Sequence, residues 1–294
     1  MITLLIVAGC ARPEEKFDRL AHLNEVEQWH TKRIEELKGE NGWLNLAGLY
    51  WLKEGPNTFG SDESNDIVFP AGKMDARAGY FLVKNGVVEI HARKGVEILA
   101  DSVLVKDKII FHPDSAKNSQ LAYGSLLWFI IRRDDQVGVR LRDLESKGVE
   151  EFSGIERYEV DPAWRLNAKL EIPVTAKRIS ITNVLGQTTD QVSPGTLVFD
   201  VQDQTYRLDA LEGGKEELFI IFGDATNENE TYPAGRYLYI KVPDSLGNTI
   251  IDFNKSYNPP CAFTPFATCP LPPAQNILPV AVRAGEKLFK GYSH

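Results

Sequence analysis

GYFLVKNGVVEIH, residues 79–91, carries two short apolar runs on either side of Asn85-Gly86. Asn and Gly tolerate the positive φ of a tight two-residue turn, so 79–83 and 87–91 are expected to pair as a β-hairpin. The same punctuation recurs on both sides of it. SVLV (102–105), LLWFII (126–131) and VGVRL (137–141) read as further strands. A polar, poorly patterned stretch over 144–160 interrupts the series. A second set then follows: WRLNAKLEI (164–172), RISITNV (178–184), GTLVFDV (195–201), QTYRLDA (204–210), ELFIIF (217–222), GRYLYIKV (235–242) and TIIDF (249–253). Short strands at this spacing predict a mainly β protein, with a β-sandwich over 42–144, a junction over 145–160 and an antiparallel, barrel-like β domain over 161–294.

One helix is expected before the strands, within 17–41. Over 17–38, Leu20, Leu23, Val26, Ile34 and Leu37 recur at three- and four-residue spacing, and Gly39 and Gly42 end the run. GWLNLAGLYWL (42–52) is too rich in Trp and Leu for a surface loop. It reads as a buried strand or tight helix-to-sheet connection, with Trp43 and Trp51 in the core.

The chain opens MITLLIVAGCARPEEK. Its apolar run is too short to span a bilayer but suits an export signal, and Val7-Ala8-Gly9-Cys10 resembles a bacterial lipobox. This predicts a signal peptide over 1–9, a diacylglyceryl thioether on Cys10 and a polar tether over 10–16. The expected location is the bacterial cell envelope, held to a membrane through Cys10, on the outer membrane or facing the periplasm in a Gram-negative cell. No Lys or Arg precedes the apolar run, a departure compatible with a start codon further upstream.

A net charge of −8, with Lys and Arg scattered among more numerous acids, argues against a nucleic-acid partner. With Cys10 lipidated, Cys261 and Cys269 remain, eight positions apart. Outside the cytoplasm they are candidates for a disulfide. Zinc is the weaker reading, because four ligands are needed and no His lies near this pair on its N-terminal side. The acidic run 224–230 lacks the glycine of a calcium-binding EF loop. No metal or cofactor is expected, and no protein partner can be named from the chain.

NTFGSDESNDIVFP (57–70) is similar to the opening of forkhead-associated domains, small β-sandwiches that bind phosphothreonine. Ser61 stands in place of that pattern's Arg, Ala76 and Gly79 in place of its Ser and His, and Ala100-Asp101 in place of its Asn-Gly. The resemblance therefore implies the scaffold and not the phosphate site. GDATNENETYPAGRYLYI and DFNKSYNPPCAFTPFATCPLPPAQNILPVAVRAGEK, with GWLNLAGLYWL and FGSDESNDIVFP, resemble the family catalogued as domain of unknown function 1684. That resemblance implies no activity.

ELFIIF, GRYLYIKV and TIIDF read as an up-down-up meander. Asp224, Thr226, Tyr232, Arg236, Asp252 and Asn254 then gather at one rim, where the Pro- and Cys-rich segment 252–276 leaves as a stiff cap carrying Asn258. Arg236 is placed to clamp an anionic group, and Asp224 and Asp252 are candidates for a catalytic pair or cation ligands. The structural alternative is an Arg236 bridge to Asp224 or Asp252 that only ties strand ends to the loop. Arg283 and Glu286 fall at the far end of a further expected strand and are set aside. The leading functional expectation is an envelope module binding a small polar or anionic ligand at the rim. An Asp224/Asp252 hydrolase and a purely structural envelope protein are the alternatives, and whether the protein is an enzyme stays open.

Overall fold

The computed structural model describes residues 17–115, 117–133 and 135–291. The expected signal peptide 1–9, Cys10 and the tether 10–16 lie outside the described residues. Helix α1 (Arg19–Lys38) begins where the Asp18 carboxylate accepts the N–H groups of Leu20 and Ala21 at 2.9 and 3.0 Å. Its buried side chains are His22, Val26 and Leu37, whereas Leu20 is 66% and Leu23 38% exposed. The helix is where the periodicity put it, but its N-terminal half does not seat on leucines. A buried hydrogen bond made by His22, described below, turns that half.

Eleven strands follow. They are β1 (Leu46–Trp51), β2 (Gly55–Gly60), β3 (Ile67–Val68), β4 (Gly79–Lys84), β5 (Val87–Ala92), β6 (Ile98–Ala100), β7 (Val103–Val105), β8 (Asp107–Phe111), β9 (Leu121–Tyr123), β10 (Leu126–Arg133) and β11 (Gln136–Asp143). They form a six-stranded sheet, β1-β11-β10-β9-β6-β7, and a five-stranded sheet, β3-β2-β4-β5-β8. All pairings are antiparallel except β2 with β3. The β4–β5 hairpin turns at Asn85 and Gly86, both at positive φ (52° and 77°), as its dipeptide demands. Alternation sends Phe81, Val83, Val88 and Ile90 into one core, where Phe59 stacks on Phe81 with centroids 4.5 Å apart and Trp128 is fully buried. Side chains of both sheets share that core, which makes this part a sandwich.

The second set is β12 (Arg165–Glu171), β13 (Lys177–Thr182), β14 (Thr188–Ser193), β15 (Gly195–Val201), β16 (Gln204–Glu212), β17 (Glu217–Phe222), β18 (Arg236–Lys241) and β19 (Asn248–Asp252). Six of these strands, in the order β18-β17-β16-β15-β12-β19, curl into a nearly closed barrel, while β13 and β14 form a separate hairpin. At the seam Thr249 donates to the Lys241 carbonyl at 2.9 Å. Phe199, Leu208, Phe222 and Leu238 fill the interior, and Leu278, Val282 and Ala284 enter it from the C-terminal segment.

Two expectations are corrected here. TIIDF does not complete a meander beside β18, because β19 pairs with β12 at the opposite edge. The free edge of β18 is taken instead by Tyr257, whose backbone exchanges two 2.9 Å hydrogen bonds with that of Tyr237. The strand expected after residue 276 does not form either. That backbone is used piecemeal: Leu278 donates to the Gly223 carbonyl and the Val280 carbonyl accepts from Ala225. Strand β14, TTDQVS, was not expected; its first five residues are exposed and it carries no apolar alternation.

Segment 252–276 is compact and irregular, with three short 3-10 turns and a Cys261–Cys269 disulfide whose Cα atoms are 6.1 Å apart. It lies along the outer face of β17 and β18. The Tyr237 hydroxyl donates to the Pro270 carbonyl (2.7 Å), and Leu271 N–H donates to the Thr182 carbonyl of β13 (2.8 Å). Among the described residues no helix is long and apolar enough to cross a membrane.

Candidate functional site

Of the expected rim residues, Arg236, Asp224 and Thr226 bond into one knot, while Asp252, Asn254 and Asn258 make their contacts elsewhere. Phe222 and Leu238 face the barrel interior, so Arg236, which pairs with Phe222 across the ladder, also points inward at the barrel end. Its side chain is fully buried. One guanidinium nitrogen donates to Asp224 Oδ2 and the Val282 carbonyl, both at 2.8 Å, and the other to the Ala284 carbonyl at 2.5 Å. Asp224 Oδ1 accepts the Thr226 N–H (2.9 Å), the Thr226 hydroxyl (2.6 Å) and the Val282 N–H (3.1 Å). Thr226 and Thr231 share a 2.8 Å hydroxyl contact in the same buried knot. Tyr232 is half-buried, and its carbonyl accepts from Asn227 at 2.7 Å.

Asp252 belongs to a different contact. Its Oδ2 meets His22 Nε2 of α1 at 2.8 Å, while Oδ1 accepts both the N–H and the side-chain amide of Asn254. Asn254 also clasps the Asp161 backbone on both sides. Asn258 donates its N–H to Glu286 Oε2 (2.7 Å) and its amide to the Lys287 carbonyl (2.8 Å). Asp224 thus serves the barrel plug and Asp252 the helix. Both carboxylates are saturated with buried donors, which leaves neither placed to work on water or a substrate. Among the described residues no three His, Cys, Asp or Glu side chains are grouped to hold a metal ion.

Of the two residues set aside in the sequence, Glu286 holds α1 in place, while Arg283 pairs with Glu230. Glu286, 1% exposed, lies 3.4 Å from Arg33 Nε, and Arg33 also donates to the Asn258 carbonyl at 3.0 Å. Burial pushes the Glu286 carboxyl above its ordinary range, against the lowering pull of Arg33. Gly285 is held at φ 79°, where an added Cβ would meet the Ser256 carbonyl at 2.4 Å. Lys255 with Glu25 (2.6 Å) and Arg157 with Glu27 add exposed pairs along the helix. His22 and Arg33 gave no signal as a pair in the sequence; their shared phase on the inward side of α1, eleven residues apart, becomes visible only once its partners are known.

Where α1 meets the outer face of β17 and β18 there is a concavity of about 480 Å³. Six aromatic side chains line it: Trp29 from α1, Trp43 from the turn beyond, Phe219 from β17, Tyr237 and Tyr239 from β18, and Tyr257 from segment 252–276. Period-two alternation brings Tyr237 and Tyr239 to the same face of β18, opposite Ile221 and Phe219 of β17. Neighbouring centroids are 6.2 Å apart for Trp29 and Tyr257, 6.3 Å for Tyr257 and Tyr239, and 4.8 Å for Tyr239 and Phe219. Lys32, Arg33, Glu36 and Glu217 supply the polar part of the wall. Burial raises the phenol groups of Tyr237, Tyr239 and Tyr257, so all three stay protonated at neutral pH.

The barrel, its Arg236 plug and the disulfide-pinned segment fall within one recognisable unit. Residues 150–287 match the family described as "Protein of unknown function (DUF1684)". The DUF1684 match takes in β12 to β19 and Glu286, but stops short of GWLNLAGLYWL and FGSDESNDIVFP, which the sequence resemblance had included. A solution structure of an uncharacterised protein from Haloarcula marismortui is 29% identical, over 47% of this chain and 78% of that one, with a TM-score of 0.40. A forkhead-associated domain from a study of phosphothreonine-dependent interactions is 12% identical, over 32% of this chain and 92% of that one, with a TM-score of 0.23. No curated protein matches the chain. In the DUF1684 region the aromatic pocket takes four of its six rings, with Trp29 and Trp43 added from outside it.

Proposed function

We propose that this protein is a lipid-anchored ligand-binding module of the bacterial cell envelope, and that its ligand occupies the aromatic pocket between α1 and the β17–β18 face rather than the barrel rim. The observation that carries the reading is the convergence of six rings, from five separate stretches of chain, on an open concavity. Phe219 stacks on Tyr239 with centroids 4.8 Å apart, but the group as a whole leaves a concavity open to solvent. Here Tyr239 remains 42% exposed beside a charged wall. Concave, mostly apolar sites with a few convergent polar groups are the usual form of small-ligand pockets. The lipobox at Cys10 supports the anchor, and α1, which forms one wall, starts directly after the tether.

The rim lends itself less to binding. Admitting a ligand there means breaking the Arg236–Asp224 pair and stripping Arg236 from two carbonyls. The test is a thermal-shift screen of the soluble chain beginning after Cys10, against compound panels. A ligand at a hundredfold its Kd adds about 2.7 kcal/mol, a readable shift. Hits are expected to disappear in Tyr239→Ala and to survive Thr226→Ser; the reverse pattern returns the site to the rim. The anchor is tested separately, by metabolic labelling with palmitate, which Cys10→Ala should abolish.

A further inference from the structure

The chemistry of the aromatic pocket narrows the ligand class. Its four charged side chains, Lys32, Arg33, Glu36 and Glu217, balance to zero. Arg33 is committed to Glu286 and the Asn258 carbonyl, with its guanidinium 4.6 Å from the Tyr257 ring centroid. Lys32 lies 3.7 Å from Glu36 on the helix surface. The two cations thus have acidic partners, which weakens the pull on an anion. A cationic amine fares no better, because the guanidinium already rests on the Tyr257 face and repels a second positive charge. A hydrocarbon chain would desolvate the charged wall without bonding to it, at a cost for each group left unpaired.

A neutral polyhydroxylated ring meets none of these objections. In the β-gluco configuration the hydroxyls are equatorial, and the axial C–H bonds make both ring faces flat and apolar. Such a face stacks on an aromatic ring, while the equatorial hydroxyls reach outward to acceptors and donors at the edge. The pocket offers both features. Tyr239 keeps 42% of its surface exposed at the mouth, and Phe219, Tyr257 and Trp29 continue the run of rings behind it. Protonated phenols and the carboxylates of Glu217 and Glu36 stand among them. We propose that this pocket binds a neutral, β-linked gluco-configured oligosaccharide, an inference that rests on the binding-module reading above.

Intrinsic fluorescence reports directly, since two of the five tryptophans line the pocket. The soluble chain beginning after Cys10 is titrated with triacetylchitotriose and with cellotriose, and in parallel with choline, inorganic phosphate and a short-chain fatty acid. A saturable change with either saccharide is expected, weakened at least tenfold by Tyr239→Ala and several-fold by Glu217→Gln. Leu246→Ala, on an exposed turn, is expected to leave it unchanged. Circular dichroism melts confirm that each variant is folded, and Tyr239→Leu replaces Tyr239→Ala should the latter unfold. Saccharide binding that ignores Tyr239→Ala and Glu217→Gln overturns the site assignment. Saturable binding of choline, phosphate or fatty acid at the pocket, with no response to either saccharide, overturns the ligand class and keeps the pocket. Silence from every probe overturns the saccharide, and the binding module then stands or falls on the thermal-shift screen above.

Discussion

Replacing Arg236 by alanine separates a structural rim from a ligand site. The side chain is fully buried, pairs with a fully buried Asp224 carboxylate and satisfies the carbonyls of Val282 and Ala284. Removing one member of a buried pair leaves an uncompensated charge and costs about 3–5 kcal/mol. The two stranded carbonyls push the cost toward the upper end of that range. A domain of ordinary stability has about 5–15 kcal/mol in total, so Arg236→Ala should lose a third of it or more. Asp224→Ala should cost a similar amount. In the double variant no charge is stranded, so its loss should fall short of the sum of the two single losses by roughly 2–3 kcal/mol. The assay is urea unfolding of the soluble chain, followed by tryptophan fluorescence, with the slope m checked for constancy. Arg236→Lys keeps the charge but loses the planar fork, and should fall between. Single losses below about 1 kcal/mol that simply add would refute the reasoning, because buried partners in contact should couple. Unchanged stability with lost ligand binding would restore Arg236 as a clamp.

Four further outcomes follow from the same contacts. His22→Ala strips a buried hydrogen-bond partner from Asp252 and should cost about 1.5–3 kcal/mol, with α1 becoming protease-sensitive before the barrel unfolds. Cys261→Ser with Cys269→Ser reopens a small loop and should cost about 2–3 kcal/mol, read as a lower urea midpoint. Glu286 has a carboxyl raised by burial, so its contribution is complete below the ordinary glutamate value near 4.5 and is lost as pH rises through the folded value. The margin of wild type over Glu286→Gln should therefore shrink from pH 4.5 toward neutral, and a widening margin would reverse the sign. At Asp209 burial raises the carboxyl, but bonds from Lys177, Thr196 and Gln275 outweigh it and hold it low. Its contribution is thus present above about 3.8 and lost on acidification, so the margin over Asp209→Asn should shrink as pH falls below that value.

The strands were legible wherever one face is buried and the other wet. Residues 79–91, 126–131 and 195–210 announce themselves because alternation and turn residues act over a few positions, with no reference to the rest of the fold. TTDQVS pairs with β13 while exposing nearly all its side chains, so no hydrophobic pattern marks it. The partner of β19 depends on the curl of a six-stranded sheet, and sequential meander logic has no term for that closure. Rim composition was readable for a related reason: strand ends converge at a known level along the chain direction. Its purpose was not, because occupancy is set by residues that local reading discards. Val282, Ala284 and Glu286 look like the tail of an unremarkable strand, yet their carbonyls turn Arg236 from a clamp into a plug. The aromatic pocket was hidden in the opposite way. Trp43 reads as a core residue of a turn and Tyr237 and Tyr239 as ordinary β residues, while Trp29 falls outside the apolar spacing of the helix and Tyr257 inside the cap segment. Each reading is locally sound. The seat of α1, made by Leu37 and Ile34 in an apolar cluster with Phe152 and Phe263 and by the hydrogen bonds of His22 and Arg33, lays Trp29 against Tyr257 and opens a pocket between two elements nearly two hundred residues apart in the chain. The proposed site therefore depends on how α1 is seated, and loosening that seat with His22→Ala should weaken saccharide binding even though His22 does not line the pocket.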